Sequence, residues 1–475
     1  MRSTHIDSAL AASALATVLL SVLAEASPTT FQRTYGGPGE DMGSCARQTA
    51  DGGYIVTGGY DVFSDSGVGY LVRTDAYGDT VWTRRFGGAW VEQTPDSGFV
   101  VVGGVDSGIC LVKTDAGGDT LWKRIYPGNN AASMVEQTAD GGFVMAGTAS
   151  YSSPSGGDVY IIKTDAGGET LWTRTYGGPD DDEGNSIRQT SDGGYIIAAF
   201  TRSFGQTIWL IRTDSIGDTL WTRAFGGDSF SFSAWAQQTM DGGYFVAGWT
   251  WSYSPSPQTY LVKTNSTGDT LWTRTIGGLG WSEGRSGQQV SDGGYVVVGT
   301  FEDTTGDIDV LLVRTDAGGD TLWTRTIGGT SFDLGLSVQQ TADGGYVICG
   351  ETYSFGAGEA DFYLVKTDEN GRLAVAEPKA RPARKSGYSL TCEPNPFHSS
   401  TVLRLTAEPP GLSDTHLRIY DVQGRLVRTL AVSRESQTIW DGKDDGGRLL
   451  ASGTYLVRCC DVAGRHATTR LVLQR

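Results

Sequence analysis

The chain reads as an all-β protein: a seven-bladed β-propeller whose last blade is closed by the N-terminal strand, followed by a C-terminal Ig-like β-sandwich. Three observations carry this. The phrase Asp-Gly-Gly-aromatic recurs at Asp51, Asp140, Asp192, Asp241, Asp292 and Asp343, with Asp96-Ser97-Gly98-Phe99 as a degenerate copy. A second phrase, Asp-Thr-Leu-Trp or a close variant, ends at Trp82, Trp122, Trp172, Trp221, Trp272 and Trp323, at spacings of 40, 50, 49, 51 and 51 residues. Periods of about 40–50 residues made of short strands mark a propeller. No segment beyond the N-terminal apolar run sustains a 3.6-residue period, so almost no helix is expected.

The elements follow in chain order. Arg2, the apolar run from Ala9 to Ala24 and the small-x-small site Ala24-Glu25-Ala26 read as a signal peptide over 1–26. No later run reaches about 18 apolar residues, so no membrane span is expected once it is removed. Residues 27–375 form the ring. In its clearest unit, predicted strands cover 185–189, 195–200, 208–213 and 219–225. Asp192-Gly193-Gly194 and Asp214–Gly217 supply the turns, because Asp bonds its own backbone and Gly accepts positive φ. The seventh unit lacks a fourth strand: Leu373-Ala374-Val375 stands where Thr-Leu-Trp is expected. Its replacement lies at the other end of the chain. Phe31-Gln32-Arg33-Thr34-Tyr35-Gly36-Gly37 matches Trp172-Thr173-Arg174-Thr175-Tyr176-Gly177-Gly178 position by position, which predicts a ring closed by its own N-terminus.

Residues 376–387 are rich in Pro, Lys and Arg and read as a linker. Charge changes sign there: residues 1–375 carry −22 and residues 376–475 carry +5. Residues 388–475 break into short strands with turns at Gly424-Arg425 and Gly446-Gly447, the pattern of an Ig-like sandwich. The cysteines Cys45, Cys110 and Cys349 occupy non-equivalent repeat positions and read as small buried residues; Cys392 is a candidate to bridge to Cys459 or Cys460.

Two resemblances follow from these phrases. Asp165-Ala166-Gly167-Gly168-Glu169-Thr170-Leu171-Trp172 resembles the tryptophan-docking motif of PQQ-type propellers, which implies a Trp wedged between neighbouring blades. The six tryptophans above are its structural positions here. Pro394-Asn395-Pro396-Phe397, Ile419-Tyr420-Asp421-Val422-Gln423-Gly424-Arg425, Trp440-Asp441-Gly442 and Ser452-Gly453-Thr454-Tyr455 resemble the FlgD-type Ig-like domain and the type A C-terminal sorting domain of the type IX secretion system. With the repeats, this is the pattern of an exported bacterial surface protein. The resemblance implies the secretion machinery as a partner and a secreted or outer-surface location.

Composition limits the chemistry. A net charge of −17 argues against nucleic acid. The histidines are His5, His398, His416 and His466, so the ring holds none and His-dependent catalysis or metal binding is excluded from it. The Asp-x-x-Gly turns bring one or two carboxylates each, fewer than a calcium loop gathers. They read as structural turns, with no cofactor or metal expected and calcium the one ion left open. Arg73, Lys113, Lys163, Arg212, Lys263, Arg314 and Lys366 read as a surface ring of salt bridges with them.

The variable loops share the face opposite the tight turns, and variable loops on a rigid scaffold are where binding lives. The candidate ligand residues there are Trp249, Trp251, Tyr253, Trp281, Phe232, Asp182, Glu183 and Glu283. Aromatic platforms beside carboxylates suit a glycan or a surface protein. The expected function is a monomeric, secreted or surface-displayed binding protein. The alternative is a polysaccharide-active hydrolase or lyase using Asp181, Asp182, Glu183 and Glu283, which needs two carboxylates about 5–9.5 Å apart.

Overall fold

The computed structural model describes residues 30–373 and 388–474, apart from short stretches at 61–67, 87, 106–107, 129, 150–155, 279, 304–305, 358, 408–415, 422–425, 432–436 and 461–465. The expected signal peptide and linker lie outside the described residues. Those described form strands and turns without a helix. Residues up to Thr367 build seven four-stranded antiparallel sheets, and in six of them the strands run in chain order from the centre outward. The fourth blade is typical: Asp182–Gln189, Tyr195–Thr201, Thr207–Thr213 and Thr219–Phe225. Its inner strand begins earlier than the predicted one because a bulge between Gly184 and Ser186 lets pairing continue. Five other inner strands shift register at the same place, including Gly43/Cys45 and Gly335/Ser337.

Closure occurs as the sequence predicts. Phe31–Tyr35 pairs antiparallel with Asp361–Thr367 and completes the sheet of Asp333–Gln340 and Tyr346–Thr352. The inner strands then meet across the seam, where Ala46 N–H donates to Ser337 Oγ (3.1 Å) and Gln48 N–H to Gln339 Oε1 (2.8 Å).

Each blade joint is built from the same parts. The six motif tryptophans lie edge-to-face on the first aromatic of the next blade's second strand: Trp82 on Phe99, Trp122 on Phe143, Trp172 on Tyr195, Trp221 on Tyr244, Trp272 on Tyr295 and Trp323 on Tyr346, at 5.5–6.0 Å between centroids. Phe31 takes this role against Tyr54 in the seventh joint (5.6 Å). The glycine of the next Asp-x-x-Gly turn lies over the ring. A methyl group on Gly118 would come within 2.6 Å of Trp82, and one on Gly78 within 2.6 Å of Phe31. Position and positive φ both demand glycine there. An arginine two residues on covers the same ring, as Arg174 does over Trp172 at 5.6 Å.

A second set of ties runs around the tight-turn face. The last glutamine of an inner strand accepts, through Oε1, a backbone N–H from the preceding blade's hairpin: Gln93 from Ala50, Gln189 from Ala139, Gln238 from Ser191, Gln289 from Met240, Gln340 from Ser291 and Gln48 from Ala342. Gln137 should accept from residue 95, but Pro95 has no N–H, and Gln137 Oε1 is buried without a donor.

The expected surface ring of salt bridges is corrected. Arg73, Lys113, Lys163, Arg212, Lys263, Arg314 and Lys366 pair with the Asp-Gly-Gly aspartates of their own blades (Asp51, Asp96, Asp140, Asp192, Asp241, Asp292 and Asp343). Each cation is buried beneath its hairpin, with 1–9% of its side chain exposed. The adjacent glycine of the turn leaves room for it: a Cβ on Gly142 would meet Lys163 Nζ at 2.6 Å. The Asp-x-x-Gly aspartates are satisfied within their own turns, as Asp165 Oδ1 accepts from the N–H groups of Gly167 and Glu169.

The C-terminal residues form a sandwich. One sheet holds Tyr388–Glu393, Thr401–Ala407 and Gln437–Trp440; the other holds Leu426–Ala431, His416–Asp421, Gly453–Cys460 and His466–Leu473. The phrases read in the sequence supply its core. Trp440 is fully buried between Phe397 and Tyr455, and its indole N–H donates to Lys443 O (2.9 Å). Cys392 is a free thiol 3.3 Å from Arg470 O, which corrects the expected bridge; Cys45, Cys110 and Cys349 are free and buried as expected.

Candidate functional site

The two faces of the ring have different fates. On the variable-loop face the predicted ligand residues are divided. Trp249 and Trp281 are only 4% and 5% exposed, and Asp182 and Glu283 are 0% and 2% exposed. As open ligand contacts these four are corrected. The physical reason is self-burial: Phe200, Phe230, Phe232 and Trp249 pack on one another at 4.9–6.4 Å, and Trp251 stands edge-on to Trp281 at 6.0 Å. Asp182 accepts from Gly178 N–H and the Ser203 hydroxyl. Glu283 is ion-paired with Arg285. Glu183, Phe232 and Trp251 are half-buried, and Tyr253 is 55% exposed. Trp251 lines a groove of about 570 Å³ with Phe204, Asp228, Phe230, His398 and Gln474.

Part of this face is covered by the C-terminal sandwich. Arg458 pairs with Glu40 and Glu359 of the ring. Arg470 pairs with Glu302 at 2.6 Å and lies 4.1 Å over the Trp281 ring. Thr454 Oγ1 donates to Glu283 Oε1 (3.4 Å). Burial pushes the Glu40 carboxyl up to about 8 against the pull of Arg458. It does the same to Glu351, held at about 8 against Arg285. Sequence reasoning missed this cover, although the opposite signs of the two halves are its signal.

The tight-turn face stays open. Its centre is a funnel of about 870 Å³ lined by the ends of the inner strands. The residue before each terminal glutamine points inward, and the wall is two-sided. Blades one to four contribute Arg47, Glu92, Glu136 and Arg188; blades five to seven contribute Gln237, Gln288 and Gln339. Arg188 Nη1 donates to Glu92 (2.7 Å) and Glu136 (3.2 Å). Burial pushes the Glu136 carboxyl up, against the pull of Arg188. Below them Trp90 and Trp235 stack across the axis at 5.3 Å, with Arg47 4.3 Å over Trp90 and Arg188 4.7 Å over Trp235. The ring is therefore plugged, and the funnel is a blind cup with an aromatic floor, acidic and cationic groups on one wall and carboxamides on the other.

Among the described residues no three His, Cys, Asp or Glu side chains converge as a metal-binding group. No helix is long and apolar enough to cross a membrane.

No family model matches the chain, and no curated protein matches it. Solved structures do. A protein of unknown function from Bacteroides caccae is 15% identical, with 58% of this chain and 92% of that one covered and a TM-score of 0.39. PorZ, a surface component of the type IX secretion system of Porphyromonas gingivalis, is 11% identical over 90% and 69% of the two chains, with a TM-score of 0.37. The Pan2 WD40 domain of Neurospora crassa is 10% identical over 72% and 97%, with a TM-score of 0.43. These are likenesses of architecture, and the propeller assignment stands on the chain's own sheets.

Proposed function

We propose that this is a secreted or cell-surface binding protein whose ligand seat is the blind funnel on the tight-turn face. The observation that carries the reading is the two-sided wall above the Trp90–Trp235 stack. Convergent donors and acceptors over an apolar floor fix a polar ligand's orientation. Carboxamides, carboxylates and guanidinium together match the mixed hydroxyls of a glycan end. Glu92 and Glu136 both engage Arg188, an arrangement that favours holding a ligand over hydrolysing one. Asp181, Asp182, Glu183 and Glu283 lie on the opposite face and supply no such cup. The sandwich serves as the export or attachment module, in keeping with its sequence phrases.

A glycan array with the purified chain tests the seat. Gln237→Trp, which fills the cup, is expected to lower binding at least about tenfold, the loss of roughly 1.4 kcal/mol. Trp251→Ala with Tyr253→Ala is expected to leave it intact. The reverse pattern would move the seat to the groove beside Trp251. Deleting residues 388–475 is expected to retain the protein inside the producing cell, and unchanged surface delivery would remove the sorting role.

A further inference from the structure

The wall of the funnel divides by what its side chains have left to bond. Glu92, Glu136 and Arg188, from blades two to four, are spent on one another and on their own strands. Arg188 Nη1 donates to both carboxylates, the Trp90 indole N–H donates to Glu92 Oε1, and Gln189 N–H donates to Glu136 Oε2. The other four follow one another around the ring through blades five, six, seven and one: Gln237, Gln288, Gln339 and Arg47. Gln288 Oε1 accepts from Gln340 N–H and Gln339 Oε1 from Gln48 N–H, each at 2.8 Å. A backbone N–H identifies the oxygen end of a carboxamide, so the end left over in each is the NH₂ group. Gln237 makes no hydrogen bond with either end among the described residues. The terminal glutamines beside them differ: Gln238 Nε2 donates to Gly242 O and Gln289 Nε2 to Gly293 O, so those donors are used.

Arg47 ends this arc. It is 8% exposed, and its Nη1 donates to Ala46 O of its own strand (2.8 Å). It makes no ion pair among the described residues. Every other buried Lys or Arg among them has a carboxylate partner: the seven hairpin cations and Arg458. Arginine is almost never buried unpaired, because a desolvated charge needs a counter-ion to offset its lost hydration. An unpaired guanidinium in the wall of an open cup, next to carboxamides with unspent donors, marks a place for an anion. The acidity of the chain does not oppose this. The aspartates of that face are held by their own buried cations, and the net charge of −17 acts through solvent, which screens it beyond about 8 Å at physiological ionic strength.

We infer that the funnel takes an acidic sugar, a uronic acid, with its carboxylate seated on Arg47 and on the carboxamide NH₂ groups of Gln339 and Gln288. This deepens the reading of the funnel as the ligand seat and rests on it. A guanidinium matches a planar carboxylate with two parallel N–H bonds. The Trp90 ring, 4.3 Å beneath it, already orients the Arg47 fork, so little of its freedom is lost on binding. Gln237, with both ends unspent, is left to bond the sugar's hydroxyls. The Glu92–Arg188–Glu136 group forms the opposite wall and carries no unpaired cation to compete for the carboxylate.

The test is titration calorimetry on the whole chain beyond residue 26, against a panel of short uronic-acid oligomers, each as the free acid and as its methyl ester. The ester keeps the sugar and removes the charge. At least one acid form is expected to bind about tenfold or more tighter than its ester, with the gap narrowing as salt is raised. Arg47→Met, which keeps an apolar stem over Trp90, is expected to bring the acid form down to the level of its ester, and Arg47→Lys to restore part of the difference. The ligand-free Arg47→Met chain is expected to melt no lower than its parent, since an unpaired buried charge has been removed. Acid and ester bound equally overturn the inference, and the glycan seat still stands if Gln237→Trp abolishes both. A preference for the acid that Arg47→Met leaves in place also overturns it. So does a panel in which no acid form binds: a neutral glycan captured by the same chain and lost in Gln237→Trp then keeps the seat, and a chain that captures no glycan removes the seat as well.

Discussion

At the scale of single residues, the hairpin clamps and the glutamine ties make the sharpest forecasts. Asp96, Asp140 and Asp241 are each subject to burial, which alone would raise them. Bonds from the Lys ammonium, the neighbouring Thr hydroxyl and a glycine N–H outweigh it and hold all three at about 2. A carboxyl lowered by folding stabilises the native state above its unfolded value near 4 and loses that contribution as pH falls towards 2. Acid unfolding is therefore expected to steepen between about pH 4 and pH 2. Lys163→Met should move the Asp140 titration, followed by carboxyl NMR, back towards the ordinary range. The glutamine ties offer a matched pair. Gln189→Ala removes a bond that Ala139 N–H donates, whereas Gln137→Ala removes an oxygen that has no donor. Denaturant melts are expected to show Gln189→Ala the more costly by about 1 kcal/mol. Both motifs are visible in the sequence as Gln-Thr-x-Asp-Gly-Gly. Which cation an aspartate selects is not, because two turns on the same face compete for it and only the burial of the lysine decides.

At the scale of elements, the strand Phe31–Tyr35 is the test of closure. Phe31 is 5% exposed and sits where the other joints have tryptophan. Phe31→Ala is expected to cost about 3–5 kcal/mol in a denaturant melt, the range for emptying a packed aromatic site. Phe31→Trp should be tolerated, since Gly78 and Tyr54 provide the same cradle as Gly118 and Phe99 provide for Trp82. Strands, turns and the borrowed strand were legible because each rests on neighbours a few residues apart, or on a phrase repeated through the chain. The Trp90–Trp235 stack was not. It joins inner strands of two non-adjacent blades, and Trp90 lies in the degenerate unit, whose first strand is reduced to Trp90–Gln93. The extra inner-strand residues from Asp182 to Gly184 were also missed, because a bulge breaks the alternation that marks a strand.

At the scale of the whole molecule, sign asymmetry becomes architecture. The basic sandwich sets Arg458 and Arg470 against Glu40, Glu359 and Glu302 of the acidic ring. Reversing both arginines to Glu is expected to lift the sandwich off, seen as a larger radius of gyration in small-angle scattering and faster cleavage between residues 376 and 387. Unchanged scattering would show that packing around Trp281, rather than charge, holds the seat. This contact covers Trp281 through Arg470, whereas Trp249 is buried by its own neighbours Phe230 and Phe232. Their chemistry is local, but whether a face is free depends on what else the chain can lay over it.

Borrowing a strand from the far end also sets a timetable. Phe31–Tyr35 is synthesised before every blade, yet its partner Asp361–Thr367 comes after six of them. The entropy of joining ends so distant rises only as the logarithm of the separation, so late closure is slow rather than unfavourable. Until then the seventh sheet has a bare edge and the first blade lacks the ring that should rest on Tyr54. The ring therefore cannot lock before its last blade has been made. Once locked, neither end of the ring offers a loose thread from which to unravel it.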